Sequence, residues 1–230
     1  RGTRLWRGSW VHDSAQTDNT AVFVLHTIAS APSDMAVTPK AFREQLGALH
    51  SAGYTCVDLD ALLKAGQGIK ARSQPSFAIT FDDGYESVYS EGYSILREFG
   101  FTATLFLTVK FLDGGIAPPW GSTTPALIKE YAGSKSQFLP LKWSQARELA
   151  ASSVFRIGSH SMNHMLMGRL ERVALREELE GSRKILEDRL GVAVRAFSYP
   201  FGVRRYGAYS EVTEEMVRAS GYAASFTSEI

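Results

Sequence analysis

The chain is poor in several features that would narrow its class at once. It has a single cysteine, Cys56, among 230 residues, which excludes an internal disulfide. No apolar run approaches the ~18–20 residues that a membrane-spanning helix needs, so no membrane span is predicted. Lys and Arg total 25 against 24 Asp and Glu, a balance that gives no overall field to attract a nucleic acid. Function must therefore be argued from a local site.

The start of the chain carries no targeting signal either. The first residues, RGTRLWRGSW, have neither an initiator methionine nor the pattern of a signal peptide. We expect residues 1–20 to be a leader or a linker to a further region, and residues 21–230 to form one domain. Hydrophobic residues make up 44% of the chain and charged residues 21%, which is ordinary for a globular protein with a substantial core.

Short β-rich runs alternate with helical patterns along the chain. Strands are predicted at 21–28, 54–59, 76–83, 102–109, 154–160, 194–200 and 222–227. Helices are predicted at 38–53, 58–66, 86–100, 144–152, 170–191 and 210–221, the first with Thr38 as N-cap and Gly53 as its stop. The alternation indicates βαβ units and a mostly parallel sheet, and about seven strands in one domain favour a deformed (β/α)7-8 barrel.

One long connection and one helix have further predicted features. The segment from Lys110 to Pro140 is rich in Gly, Pro and Ser and is longer than a usual connection, which predicts a binding loop or lid. The alternative is an insertion that only covers the core. The charges of the 170–190 helix recur at i,i+4 spacing and predict a solvated face.

Reactive side chains follow several of the predicted strands. Asp82 and Asp83 end one strand, His160 ends another with His164 four residues later, and His26 ends the first. In parallel α/β folds the reactive groups collect at strand ends. Each group has a simpler explanation, such as a turn, a helix cap or a surface histidine. Together, His-x-x-x-His on one helix face and a strand-end carboxylate form the three-ligand pattern of a catalytic Zn²⁺ or similar ion.

Three short motifs carry a resemblance to a known family. The chain contains TFDDG at 80–84, SHSMNH at 159–164 and SYPFG at 198–202. In this order and spacing they resemble the first three motifs of the NodB-type polysaccharide deacetylases, carbohydrate esterase family 4. The early strand that ends in VLHTI is similar to the branch with a rearranged motif order, which includes poly-N-acetylglucosamine deacetylases.

The resemblance implies a role for each motif residue. Asp83, His160 and His164 would bind a divalent metal, most simply zinc with cobalt or nickel as alternatives. Asp82 would be the general base, His26 the general acid, and the backbone N–H of Phe201 would help to hold the oxyanion. The implied reaction is attack of a metal-bound water on an acetamide, with release of acetate.

The family often has an arginine two or three residues before the motif-three proline, where it orients the base. Here Arg195 is five residues before Pro200 and is not assigned that role, and the candidates that remain are Arg204 and Arg205.

The implied substrate is an N-acetylated polysaccharide or oligosaccharide, and export to the periplasm, cell surface or medium follows from that class. Tyr85, Tyr199 and Trp120 are predicted to stack on sugar faces, with a place in the core as the alternative. Two other functions remain open. One is a different amide or ester hydrolase with the same metal site, such as an imidase or an acetylxylan esterase, and the other is a non-catalytic carbohydrate-binding module.

Overall fold

The computed structural model describes residues 20–30, 35–59, 61, 75–114 and 138–229. Residues 1–19 of the predicted leader and most of the predicted lid lie outside these ranges. The strands are β1 (Thr20–Leu25), β2 (Thr27–Ile28), β3 (Ala36–Val37), β4 (Thr55–Cys56), β5 (Ser76–Phe81), β6 (Ala103–Leu107), β7 (Phe155–Ser159), β8 (Ala196–Ser198) and β9 (Ala224–Phe226). Seven of them form one parallel sheet in the order β1-β5-β6-β7-β8-β9, with β4 beside β5, while β2 and β3 form a separate pair.

Helices pack around this sheet. They are α1 (Pro39–Ser51), α2 (Tyr93–Phe99), α3 (Trp143–Ala151), α4 (Arg172–Arg176), α5 (Ser182–Leu190) and α6 (Glu211–Ala219). Thr38 caps α1 as predicted, since its side chain accepts a hydrogen bond from Ala41 N at 3.1 Å. In the part of the chain that the structure describes, no helix is long and apolar enough to cross a membrane.

The sheet is curled into a half-barrel. Strand β5 is buried at all six positions, as expected of a parallel strand that is covered on both faces. Ala78 of β5 belongs to a small cluster with Val57, Leu59, Phe106 and Ala196, whereas Phe77, Ile79 and Phe81 of the same strand belong to a larger cluster that packs between the sheet and the helices. Phe106 of β6 contacts Phe226 of β9 at 5.7 Å between ring centroids, which brings distant strands together across the inside of the curl. The predicted deformed barrel is therefore confirmed.

Three predicted elements are interrupted. The strand predicted at 21–28 breaks at His26, because Leu25 ends the pairing of β1 with β5 and Thr27 begins the pairing of β2 with β3. The helix predicted at 170–191 contains a π-helical turn, Glu177–Gly181, between α4 and α5. A second π-helical turn, Val88–Gly92, precedes α2. Such turns shift the residues that follow them to a new face of the helix.

The parallel register places the predicted reactive residues at one edge. Leu25 of β1 lies opposite Phe81 of β5, so His26 and Asp82 are the next residues on neighbouring strands. His160 immediately follows β7, whose last residue Ser159 pairs with Phe197 of β8. The carboxyl ends of β1, β5, β7 and β8 therefore meet, as the sequence predicted for a parallel α/β fold.

Candidate metal centre and active site

The two aspartates lie in a tight turn at the end of β5. Asp82 N donates to Leu25 O at 2.8 Å, which ties the start of the turn to β1. Asp83 has a left-handed backbone (φ 71°), and Gly84 follows at φ 93°. A Cβ on Gly84 would lie 2.8 Å from Leu107 Cδ2, so both the angle and the space require glycine. The turn presents both carboxylates to the edge of the sheet, and neither aspartate caps a helix.

The two histidines lie on a loop rather than on a helix. The sequence predicted that the His-x-x-x-His spacing puts both imidazoles on one helix face, and this prediction is wrong. Ser161 and His164 have left-handed φ angles of 71° and 58°, which a right-handed helix cannot contain. The loop is held instead by side chains, for example by Ser161 Oγ, which accepts from His164 N at 2.9 Å.

Asp83, His160 and His164 nevertheless converge. Their candidate ligand atoms all lie within 4.8 Å of one another, and all three residues are buried. Asp83 Oδ1 is 3.2 Å from His164 Nε2 and 3.5 Å from His160 Nε2. His160 Nδ1 lies 2.8 Å from Ser198 O, and this contact turns Nε2 toward the carboxylate.

This donor set fits a divalent cation. Two imidazoles and one carboxylate are the protein ligands typical of catalytic zinc. Among the described residues, no well-aligned hydrogen bond reaches either oxygen of Asp83, although both are buried. Buried polar atoms normally have partners, and a bound cation would supply one here.

The electrostatics separate the two carboxylates. Burial raises the pKa of Asp82 to about 7 and the charge of Asp83 adds to this, against the opposing effects of His26, Ser198 and His164. Burial also opposes ionisation of Asp83, but the His164, His26 and His160 imidazoles outweigh it and hold the pKa of Asp83 well below its usual range. Neighbouring carboxylates with opposite pKa shifts suit different tasks, one as a ligand and the other as a base.

Burial lowers the pKa of His160 to about 4, with a further contribution from His164. The imidazole of His160 is therefore neutral at pH 7. A neutral ring keeps the nitrogen lone pair that a metal ligand needs.

Ser198 contacts the predicted base. Its Oγ donates to Asp82 Oδ2 at 3.3 Å, and its carbonyl oxygen is the one that contacts His160. The two arginines left as candidates have other partners: Arg204 pairs with Glu214 at 3.0 Å, and Arg205 lies over the Tyr206 ring. Among the described residues, no guanidinium forms an ion pair with Asp82. Sequence reasoning missed Ser198, and its place as the first residue of the SYPFG motif was the available signal.

The predicted acid and the predicted oxyanion donor both border the site. His26 follows β1 beside Asp82 and is half-buried. Phe201 has a left-handed φ of 66°, and its ring packs at 4.7 Å from that of His164. Four of the five non-glycine residues with positive φ in the described ranges belong to this site, which is typical of backbone strain held at functional positions.

The predicted sugar-stacking tyrosines are core residues. Tyr85 is 1% exposed and packs edge-on against Phe138, and Tyr199 is 2% exposed and stacks on Tyr209. Both rings lie against protein, so their predicted stacking on sugars is not supported. Trp120 lies outside the described residues.

Two curated relatives are similar to the chain. The chain is 27% identical over 209 residues to YxkH of Bacillus subtilis (strain 168), a protein named for polysaccharide deacetylation. This match covers 90% of the chain and 64% of that protein. The chain is 28% identical over 141 residues to the poly-β-1,6-N-acetyl-D-glucosamine N-deacetylase of Escherichia coli (strain K12). That match covers 60% of this chain and 20% of the enzyme, so the chain spans less than two thirds of either relative.

The fold also matches a solved structure. The Streptococcus pyogenes deacetylase PplD, in complex with acetate, superposes with a TM-score of 0.71 at 19% identity, over 88% of this chain and 80% of that one. The family model for polysaccharide deacetylases matches residues 69–225, well over half of the chain and including all three motifs. The motifs, the fold and this match agree, and the chain belongs to the polysaccharide deacetylase family.

Proposed function

We propose that the chain removes acetyl groups from an N-acetylhexosamine polysaccharide by metal-dependent hydrolysis, releasing acetate. The observation that carries the proposal is the buried group of Asp83, His160 and His164 beside a second carboxylate, Asp82, that is no member of that group. A structural metal site needs no neighbouring base, whereas a hydrolytic site does.

Asp83, His160 and His164 would hold the ion, with zinc as the first candidate and cobalt or nickel as alternatives. When bound, such an ion supplies positive charge that acidifies a water molecule and polarises a carbonyl oxygen. The low pKa of Asp83 and the neutral imidazole of His160 suit these ligand roles at neutral pH.

Asp82 is the proposed general base. Its pKa near 7 matches the value at which a carboxylate is both ionised and basic enough to accept a proton from water. The hydrogen bond from Ser198 to Oδ2 orients the carboxylate and leaves Oδ1 without a protein partner in the described residues. Oδ1 is thus the atom proposed to take the proton.

His26 and Phe201 complete the proposed site. An amine leaves poorly unless it is protonated, and His26 stands beside Asp82 on the neighbouring strand, where it can deliver that proton. The Phe201 N–H donates to no backbone carbonyl in the described residues, so it remains available to an oxyanion. Two residues thus serve the leaving group and the developing charge.

The substrate and the location are proposals of the same kind. The Escherichia coli relative acts on poly-β-1,6-N-acetyl-D-glucosamine, so this polymer is the first candidate substrate. A polymer of that type lies outside the cytoplasm, and we infer that the chain works at the cell surface, in the periplasm or outside the cell, in the context of a biofilm matrix.

Acetate release tests the function. The metal-loaded chain is assayed on poly-β-1,6-N-acetylglucosamine, chitooligosaccharides, acetylated xylan and a cyclic imide, with Asp82→Asn as a matched control that keeps the ligand set. We expect acetate from an N-acetylated sugar and at least a ~100-fold loss in the control. Turnover confined to the xylan ester or the imide would identify the related hydrolase instead, and binding without turnover would identify a carbohydrate-binding module.

A further inference from the structure

Glu178 is a buried acidic residue outside the proposed site. It lies on the π-helical turn Glu177–Gly181 and is 4% exposed, whereas Glu177 and Glu180 of the same turn are exposed. Charged side chains are rarely buried to this degree unless they are paired. In the described residues Glu178 forms no ion pair, which contradicts the solvated face that the sequence predicted for this helix at this position.

The carboxylate binds the histidine loop instead. Glu178 Oε2 accepts hydrogen bonds from Met162 N at 3.0 Å and Asn163 N at 2.9 Å, and Oε1 accepts from Asn163 Nδ2 at 2.6 Å. All three donors lie between His160 and His164. Hydrogen bonds to a charged acceptor are stronger than those between neutral groups.

The loop needs such an acceptor because it is not helical. The left-handed backbone angles at Ser161 and His164 are unfavourable for non-glycine residues, and no carbonyl of a preceding helical turn is available to Met162 N and Asn163 N. If Glu178 were absent, the buried Met162 N–H and the partly buried Asn163 N–H would lose their acceptor, and the loop would gain by rearranging. The imidazoles at both of its ends would then lose their orientation.

The π-helical turn itself is fastened to β7. Ser182 Oγ lies 2.5 Å from Glu178 O and 2.9 Å from Ser159 Oγ, next to His160. Tyr222 donates to Leu179 O at 2.9 Å. The turn therefore holds the Glu178 backbone in register with the strand that ends in the first histidine.

We propose that Glu178 is a positioning residue of the metal centre, which fixes the 160–164 loop so that the His160 and His164 imidazoles face Asp83. This inference rests on the proposed metal site. In this proposal, the orientation of the two histidine ligands depends on the Glu178 carboxylate, which lies on a helix and touches neither the ion nor the substrate. Removal of an outer partner of this kind typically costs 10- to 100-fold in metal affinity.

The test compares four full-length variants by Zn²⁺ affinity in competition with a chelating dye. Glu178→Ala is expected to bind ~10- to 100-fold more weakly than wild type. Glu178→Gln keeps one acceptor oxygen and, with the Asn163 amide turned over, is expected to lose less than Glu178→Ala. Asn163→Ala removes only the 2.6 Å bond and is expected to lose less than ~10-fold. Glu177→Ala, the exposed neighbour, is the matched control and should equal wild type.

Two further measurements separate positioning from general stability. Circular dichroism is used to find a temperature at which every metal-free variant is folded, and the affinities are measured at that temperature. The absorption spectrum of the Co²⁺-loaded protein then reports the geometry of the metal ligands. We expect a changed Co²⁺ spectrum in Glu178→Ala. If Glu178→Ala does not fold, the losses in Glu178→Gln and Asn163→Ala decide the question, and wild-type affinity in both would overturn the inference.

The same data distinguish this inference from the proposed function. Failure of the wild-type chain to bind Zn²⁺ would refute the metal site itself. Wild-type binding with an unchanged affinity and Co²⁺ spectrum in folded Glu178→Ala would refute only the positioning role.

Discussion

Replacement of Asp82 by asparagine should stabilise the metal-free protein against unfolding. The same replacement should abolish turnover by the metal-loaded protein. Burial disfavours the charged form of Asp82 and raises its pKa from 3.8 to about 7. Each pKa unit corresponds to about 1.4 kcal/mol. A shift of this size therefore costs the folded state roughly 4 kcal/mol once the pH is above 7, and asparagine carries no charge to bury.

The sign of the pH dependence follows from the direction of the shift. A carboxyl whose folded-state pKa is raised favours folding below the pKa of the unfolded chain, and this contribution is lost as the pH rises through about 7. The stability gained by Asp82→Asn should thus be near zero at pH 4, roughly 1–2 kcal/mol at pH 5 and roughly 4 kcal/mol at pH 8. For a chain of this length, the change in this stability gain between pH 5 and pH 8 corresponds to a difference of roughly 5–10 °C in the Tm gain of the variant.

The assay is urea unfolding of chelator-treated wild type and Asp82→Asn at pH 5 and pH 8. Effects of the substitution that do not depend on pH cancel when the two stability differences are compared. An equal difference at both pH values would refute the argument that a buried charge on Asp82 destabilises the fold.

The adjacent carboxylate provides the matched control. Asp83 has a pKa held below its usual range by the surrounding imidazoles, so its ionised form stabilises the fold above the unfolded-state pKa. Asp83→Asn should therefore destabilise the metal-free protein at pH 7, opposite in sign to Asp82→Asn. Destabilisation by both variants would mean that loss of packing, and not charge, dominates at this turn.

Three other predictions test the site and the barrel. Exhaustive chelation should abolish activity and Zn²⁺, Co²⁺ or Ni²⁺ should restore it, whereas full activity in protein shown by elemental analysis to be metal-free would contradict the three-ligand site. His26→Gln should bind metal normally, lose ~10²- to 10⁴-fold in amide hydrolysis, and lose less on an activated aryl acetate, because that leaving group needs no proton; equal losses on both substrates would remove His26 from the mechanism. Gly158→Ala would place a Cβ 2.3 Å from Phe106 Cδ1 and should lower the free energy of unfolding by roughly 1–3 kcal/mol. The control is Gly47→Ala in α1, whose nearest contact would be at 3.6 Å and which should be neutral or stabilising. Equal effects of the two changes would refute the packing argument.

Much of the site could be predicted because it depends on local patterns. A buried apolar run that ends in Asp82 and Asp83 is visible in the sequence, and parallel strands bring their carboxyl ends to one edge whatever the details of packing. The side-by-side position of His26 and Asp82 follows from this rule and from the register of β1 and β5. Roles for Asp82, His26 and Phe201 stay predictions until the variants are measured.

The errors concern conformations that the spacing of residues does not determine. His160 and His164 are four residues apart in a helix and also in this loop, so the spacing alone could not exclude the helix. For Tyr85 and Tyr199 the sequence left both sugar stacking and a place in the core open, and the hydrophobic gain from burying a large ring places both in the core.

The sequence by itself determined the order of strands and helices, the parallel sheet, and which side chains stand at its carboxyl edge. Only the tertiary structure decided that Ser198 contacts Asp82, 116 residues away, and that Glu178 turns inward to hold the histidine loop. Strand and helix patterns arise from residues close in the chain, whose periodicity can be read directly. Hydrogen bonds between distant segments exist only once packing has brought those segments together and removed the water that would otherwise satisfy them.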